Sequence, residues 1–157
     1  MMRQDRPDAL RRRVLAGAGA SALALTLRPV AAAAAVRETT AAAIRRFAGD
    51  AEIRPGRVAL ELPPLVENGN TVPVTVTVES PMTEADHVRR IGIFNAKNPQ
   101  PNVATLHLGP RAGRARVAAR IRLADTQRIT AIAEMSDGTY WSASADAIVT
   151  LAACLEG

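Results

Sequence analysis

From Arg57 onward the chain alternates. Val58, Leu60 and Leu62 share one side, and Val72, Val74, Val76 and Val78 stand opposite Thr71, Thr75 and Thr77. Apolar residues at every second position mark a strand with one face in the core and one in water. The clearest run is Arg114 to Leu123, where Ala115, Val117, Ala119, Ile121 and Leu123 take one face and Arg114, Arg116, Arg120 and Arg122 the other. Further strands are predicted at Arg89–Phe94, Val103–Leu108, Arg128–Met135, Thr139–Ser144 and Ala147–Leu151. Turn formers separate them: Glu67-Asn68-Gly69-Asn70, Ser80-Pro81, Asn98-Pro99-Gln100-Pro101, Gly109-Pro110 and Ser136-Asp137-Gly138. Asp137-Gly138 between two runs is a hairpin signal. Pro73 has no N–H to donate, which places its strand at a sheet edge or beside a bulge. Ahead of the strands, Thr39 to Ala48 reads as a helix, with Ile44 and Phe47 on one side and Gly49 ending it in a left-handed conformation.

Short strands and turns at this spacing predict an all-β chain: an immunoglobulin-like antiparallel β-sandwich with a short N-terminal helix and a flexible C-terminal arm. The expected division is an export signal over residues 1–35, helix and linker over 36–56, the sandwich over 57–151, and an arm over 152–157.

Arg11, Arg12 and Arg13 precede an uncharged run from Val14 to Leu27 that is too short to span a bilayer and leads into a small-residue tract, Ala31 to Ala35. This is the pattern of a removable signal, and Arg-Arg-Arg-Val-Leu favours the twin-arginine route, hence a periplasmic protein with no membrane anchor. The leader also changes the meaning of the charge. The chain has 20 Lys+Arg and 15 Asp+Glu, and residues 1–35 hold six and two of these, leaving 14 against 13 and a net of about +1. The basic excess therefore sits in the leader. With Phe47, Phe94, Tyr140 and Trp141 the only aromatics, no basic stripe interleaved with stacking rings points to nucleic acid.

Two histidines and one cysteine do not make a metal site, and no phosphate loop, nucleophile elbow or paired-cysteine motif occurs. No metal and no cofactor are expected. His87 and His107 read as structural, and Glu84 with Asp86 as a turn. The arginine row reads as a solvated face, with docking of an acidic partner or an anionic substrate as its rival. Cys154 remains. A lone thiol near the end of an exported chain is inert, forms an intermolecular disulfide, or carries an attached group, and an exposed tail favours the latter two. About five or six extended residues reach roughly 15 to 20 Å, enough to enter a cleft in another protein.

The segments ENG at Glu67–Gly69, VPVTVTVESPMTEADHV at Val72–Val88, KNPQPNVATLHL at Lys97–Leu108, RIRLADTQ at Arg120–Gln127 and AEMSDGTYW at Ala133–Trp141 resemble, in order, the SoxY family of bacterial thiosulfate oxidation. The resemblance runs from about Arg57 to Cys154. It implies an immunoglobulin-like substrate carrier, not an enzyme, with Cys154 as the point of covalent attachment for sulfur intermediates. It also implies a heterodimer with a SoxZ-like β-sandwich subunit, served by a c-type cytochrome, a sulfate-releasing hydrolase and a sulfane dehydrogenase. The family tail is Gly-Gly-Cys-Gly-Gly, whereas this chain ends Ala152-Ala153-Cys154-Leu155-Glu156-Gly157. That departure is expected to mark either a divergent carrier or a homologue with altered chemistry. The competing expectation is a non-catalytic exported β-sandwich whose cysteine forms an intermolecular disulfide.

Overall fold

A computed structural model describes residues 37–153. The export signal read over residues 1–35, the thiol of Cys154 and the rest of the tail lie outside the described residues.

The helix α1 spans Thr40–Ala48. Thr39 caps it, its hydroxyl accepting from the Ala42 N–H at 3.2 Å, and Gly49 follows with φ of 64°. The strands are β1 (Ile53–Pro55), β2 (Val58–Glu61), β3 (Leu65–Val66), β4 (Val72–Val78), β5 (Val88–Asn95), β6 (Asn102–His107), β7 (Ala115–Ile121), β8 (Gln127–Met135) and β9 (Tyr140–Val149). One sheet is ordered β1-β9-β8-β5-β6, with β3 also on β9, and the other β2-β4-β7. The two sheets pack face to face as the alternation requires. Val72, Val74, Val76 and Val78 turn inward against Ile91, Ile93, Ile129, Ala131, Ala133 and Met135.

Three expectations change on contact with the structure. The runs Thr139–Ser144 and Ala147–Leu151 are one continuous strand, β9, because Asp146 stays on the exposed face and pairs with Arg128 opposite it on β8. Pro73 belongs to the central strand of its sheet, not to an edge strand. It is tolerated because β2 pairs only with Thr75–Val78, so the start of β4 has a neighbour on one side alone. Finally, β5 and β8 are buried on both faces, whereas alternation implied one wet face. The helix explains it: Ala43, Phe47 and Ala48 cover Phe94 and Ile132 on the far side of the larger sheet.

Gly92 makes that third layer possible. A Cβ there would stand 2.7 Å from the Phe94 ring and 3.1 Å from Phe47, so the bare backbone lets the two rings meet edge to face at 5.6 Å. Burying Phe47 contributes about 1.5–3 kcal/mol. The Arg90 guanidinium lies 4.5 Å above the same ring, donates to the Phe47 carbonyl at 3.1 Å and pairs with Glu134, whose side chain is 12 % exposed. The helix is thus held by ring packing, a cation over a ring and a hydrogen bond together.

Two short strands were not legible as strands. β1 and β3 lie along the outer edge of β9 and run parallel to it, Ile53–Pro55 beside Tyr140–Ser142 and Leu65–Val66 beside Ile148–Val149. Strands this short carry no periodicity of their own.

Candidate functional site at the C-terminal end of the sandwich

Backbone hydrogen bonds fasten the last described residues. The Gly69 N–H donates to the Leu151 carbonyl at 2.8 Å, the Leu123 N–H donates to the Gly69 carbonyl at 2.8 Å, and the Ala153 N–H donates to the Leu123 carbonyl at 3.0 Å. Upstream, the Thr150 N–H donates to the Val66 carbonyl at 3.0 Å. Only glycine fits at the centre of this knot. A Cβ on Gly69 would stand 2.4 Å from the Leu123 oxygen, 2.8 Å from the Ala153 nitrogen and 3.0 Å from the Leu151 oxygen. Asn68 shapes the turn around it, its carboxamide oxygen accepting from the Asn70 N–H at 3.0 Å.

Leu123 is in turn positioned by a polar network. The Asn98 side chain donates to the Arg122 carbonyl at 2.7 Å, and its oxygen accepts from the Ala124 N–H at 3.0 Å and the Gln127 amide at 2.8 Å. Buried Asn95 and Gln127 complete the loop, accepting from the N–H groups of Asn98 and Lys97 at 3.0 and 2.8 Å. Every buried side-chain polar atom among the described residues has a partner, which makes the network a rigid support.

Three of the five segments singled out in the sequence therefore meet here: Glu67–Gly69, Lys97–Leu108 and Arg120–Gln127. The other two meet at the opposite end of β5 and β8. There the Ser136 hydroxyl donates to the Ala85 carbonyl at 3.1 Å and accepts from the His87 N–H at 3.1 Å. Given about 3.3 Å per strand residue, the length of β8 separates these ends by roughly 25–30 Å.

The remaining sequence candidates are dispersed. His87 faces the Thr83 carbonyl at 3.0 Å inside its own turn, and His107 is exposed on β6. Asp86 pairs with Arg57 at 3.5 Å and, with Glu84, belongs to the loop between β4 and β5. Arg114, Arg116, Arg120 and Arg122 are all exposed on or beside β7. Among the described residues no three His, Cys, Asp or Glu side chains gather as a metal site would need, and no helix is long and apolar enough to cross a membrane. Of the expected arm over 152–157, Ala153 is 8 % exposed and tied to Leu123. The clamp residues Gly69, Asn98, Leu123 and Gln127 were missed as functional positions, although the motifs contain all four.

Lys97 and Asp125 brace the same loops at 2.7 Å. The hydrogen bond from Lys97, then that from the Thr126 N–H, hold the Asp125 carboxyl below its ordinary range. A depressed carboxylate contributes stability above its unfolded pKa of about 4 and loses it as pH falls through the lower folded value. Parent and Lys97→Met proteins are thus expected to differ in melting temperature at neutral pH and to converge on acidification from about pH 5 to about pH 2. A gap that stays constant over that range would refute the assignment, and carboxyl NMR of Asp125 should show its pKa rising in the variant.

Comparison with known proteins supplies the family. The sulfur oxidation protein SoxY family matches residues 44–154. The sulfur carrier protein SoxY of Chlorobium limicola f thiosulfatophilum is similar in structure, with a TM-score of 0.59 and 29% identity over 69% of this chain and 94% of that one. A superoxide reductase (neelaredoxin) of Ignicoccus hospitalis, at 19% identity, TM-score 0.54 and coverage of 60% of this chain and 80% of its own, shares the fold alone. So does a putative superoxide reductase of Thermotoga maritima, at 22% identity, TM-score 0.52 and coverage of 62% and 87%. No curated protein matches.

Proposed function

The chain belongs to the SoxY family of sulfur oxidation proteins, and from that premise we propose that it is a sulfur carrier, holding intermediates of thiosulfate oxidation covalently on Cys154 and presenting them to partner enzymes. The observation that carries the reading is the convergence of three family segments on the backbone that fixes Ala153, the residue before the one cysteine of the chain. A scaffold built to hold the root of a thiol-bearing tail, with no catalytic constellation among its described side chains, fits a cargo subunit.

The chemistry needs a nucleophilic sulfur and an external oxidant. The Cys154 thiol loses its proton, and its sulfur joins the outer sulfur of thiosulfate in a new S–S bond. Two electrons leave to a c-type cytochrome, giving a cysteine S-thiosulfonate with one negative charge. Water then cleaves the S–SO₃ bond in a partner hydrolase, releasing sulfate and a proton and leaving a persulfide. A sulfane dehydrogenase oxidises the sulfur that remains. The carrier's own contribution is delivery: a thiolate reachable by several active sites in turn. On this reading a SoxZ-like subunit completes the heterodimer, and the twin-arginine signal expected over residues 1–35 supports the periplasm as the place of work.

The test is the intact mass of the purified protein after exposure to thiosulfate and the oxidised cytochrome. A gain of one thiosulfate less one hydrogen, mapped to Cys154 and removed by reductant, is expected. An unchanged mass with a covalent dimer on non-reducing gels would overturn the carrier and establish an intermolecular disulfide instead.

A further inference from the structure

We propose that the outer face of the three-stranded sheet is a docking surface for an acidic segment of a partner protein, gripped by Arg114, Arg116, Arg120 and Arg122. All four are exposed, and none lies within ion-pair distance of a carboxylate of the described residues. Arg120 donates to the Thr71 hydroxyl at 3.3 Å. The contrast within the molecule is sharp: Arg54, Arg90 and Arg128, on strands of the other sheet, are each paired with Glu52, Glu134 and Asp146. A row of guanidinium groups on one face, left without counter-charges where the rest of the sandwich supplies them, is a face prepared for charges from outside.

Its shape favours a protein. The register sets Arg116 beside Thr77 and Arg120 beside Pro73, with Ala118 between them, so the arginines rise from a floor of small side chains. Glu61 sits two strands away on β2, about 10 Å across the sheet, and Glu79 follows the end of β4, and neither is in ion-pair contact with the row. Arg116 and Arg120 on β7 stand four residues, about 13 Å, apart, and Arg114 and Arg122 lie two positions beyond them, a step of about 6.6 Å along extended chain. That is also the spacing of alternate carboxylates along an extended acidic segment, which guanidinium forks grip in bidentate fashion. In addition β7 is an edge strand with no neighbour beyond it among the described residues, which leaves its outer backbone groups open to an incoming segment. Nucleic acid fits less well because Phe47, Phe94, Tyr140 and Trp141 all lie in or against the other sheet and offer this face no base-stacking ring. A lipid surface fits less well because the large exposed apolar residues, Leu65, Ile148 and Leu151, belong to or follow strands of the other sheet.

The location also has meaning. Arg122 precedes Leu123, whose carbonyl holds Ala153. A protein seated on the arginine row lies beside the root of the tail. The inference does not depend on what Cys154 carries, so the mass experiment and the test of this face can fail separately.

The test measures association of the full reduced chain with poly-L-glutamate, with a single-stranded oligonucleotide and with phosphatidylglycerol vesicles at matched charge. Poly-L-glutamate is expected to bind in low salt, to shift amide resonances in β4 and β7, and to bind about ten-fold or more weakly to Arg116→Gln/Arg120→Gln. These positions are exposed, so the variant should melt with the parent, and Arg128→Gln, on the other sheet, should bind as the parent does. Equal binding by parent and the double variant overturns the proposal. Tighter binding of the oligonucleotide or the vesicles than of poly-L-glutamate overturns it too, as do resonance shifts confined to the larger sheet.

Discussion

Cys154→Ser is expected to abolish thiosulfate consumption by the reconstituted system while leaving the fold intact. Serine is the near-isostere of cysteine, so the variant changes one atom and alters none of the described residues. Its hydroxyl stays protonated at neutral pH and forms no sulfur–sulfur bond, so neither the thiosulfonate nor the persulfide has a place to exist. The variant should show no mass gain with thiosulfate, no cytochrome reduction above background and an unaltered melting temperature. Retained turnover would remove the carrier reading altogether. Loss of turnover together with loss of folding would assign Cys154 to the stability of the fold and overturn the prediction.

The second large effect is structural. Gly69→Ala is expected to cost about 2–4 kcal/mol and to loosen the C-terminal root. All three atoms that a Cβ would strike belong to backbone, of Leu123, Ala153 and Leu151, so no side chain can swing aside to admit it. The Gly69, Leu123 and Ala153 N–H groups all donate within this knot and should lose protection together in hydrogen exchange. Gly109→Ala is the control, because a Cβ there meets nothing within 4 Å and the backbone already has an extended φ of −149°. A Gly69→Ala protein as stable as the control, with Ala153 still protected, would show that the knot yields without cost.

The fold was legible wherever alternation reported on burial. Val72–Val78 needed only its own pattern, and Ala115–Ile121 follows its own except at Ala119, which this edge strand leaves exposed. β1 and β3 were invisible because their only reason to be extended is the distant edge of β9. The break expected between Ser144 and Ala147 failed for a related reason: an aspartate and small residues in a strand read as a turn until the guanidinium of Arg128 on the neighbouring strand is known. The candidate site was half legible. Composition and position singled out Cys154, but the clamp that precedes it is made of backbone atoms from Gly69, Leu123 and Leu151, and side-chain periodicity carries no information about such contacts. Only the family segments marked those places, and the structure adds why they recur together: they form one support.

The fastening of Ala153 limits how far the cargo travels. The bond from the Ala153 amide to the Leu123 carbonyl fixes the chain up to that residue, so Leu151–Ala153 lend no reach of their own while it holds. On the proposed carrier reading, a client enzyme must either work with that seam closed or first unzip Leu151–Ala153 from Gly69 and Leu123. In the second case each delivery includes a small, reversible melting of the carrier's own terminus, and the tightness of that seam regulates how readily one client hands the sulfur on to the next.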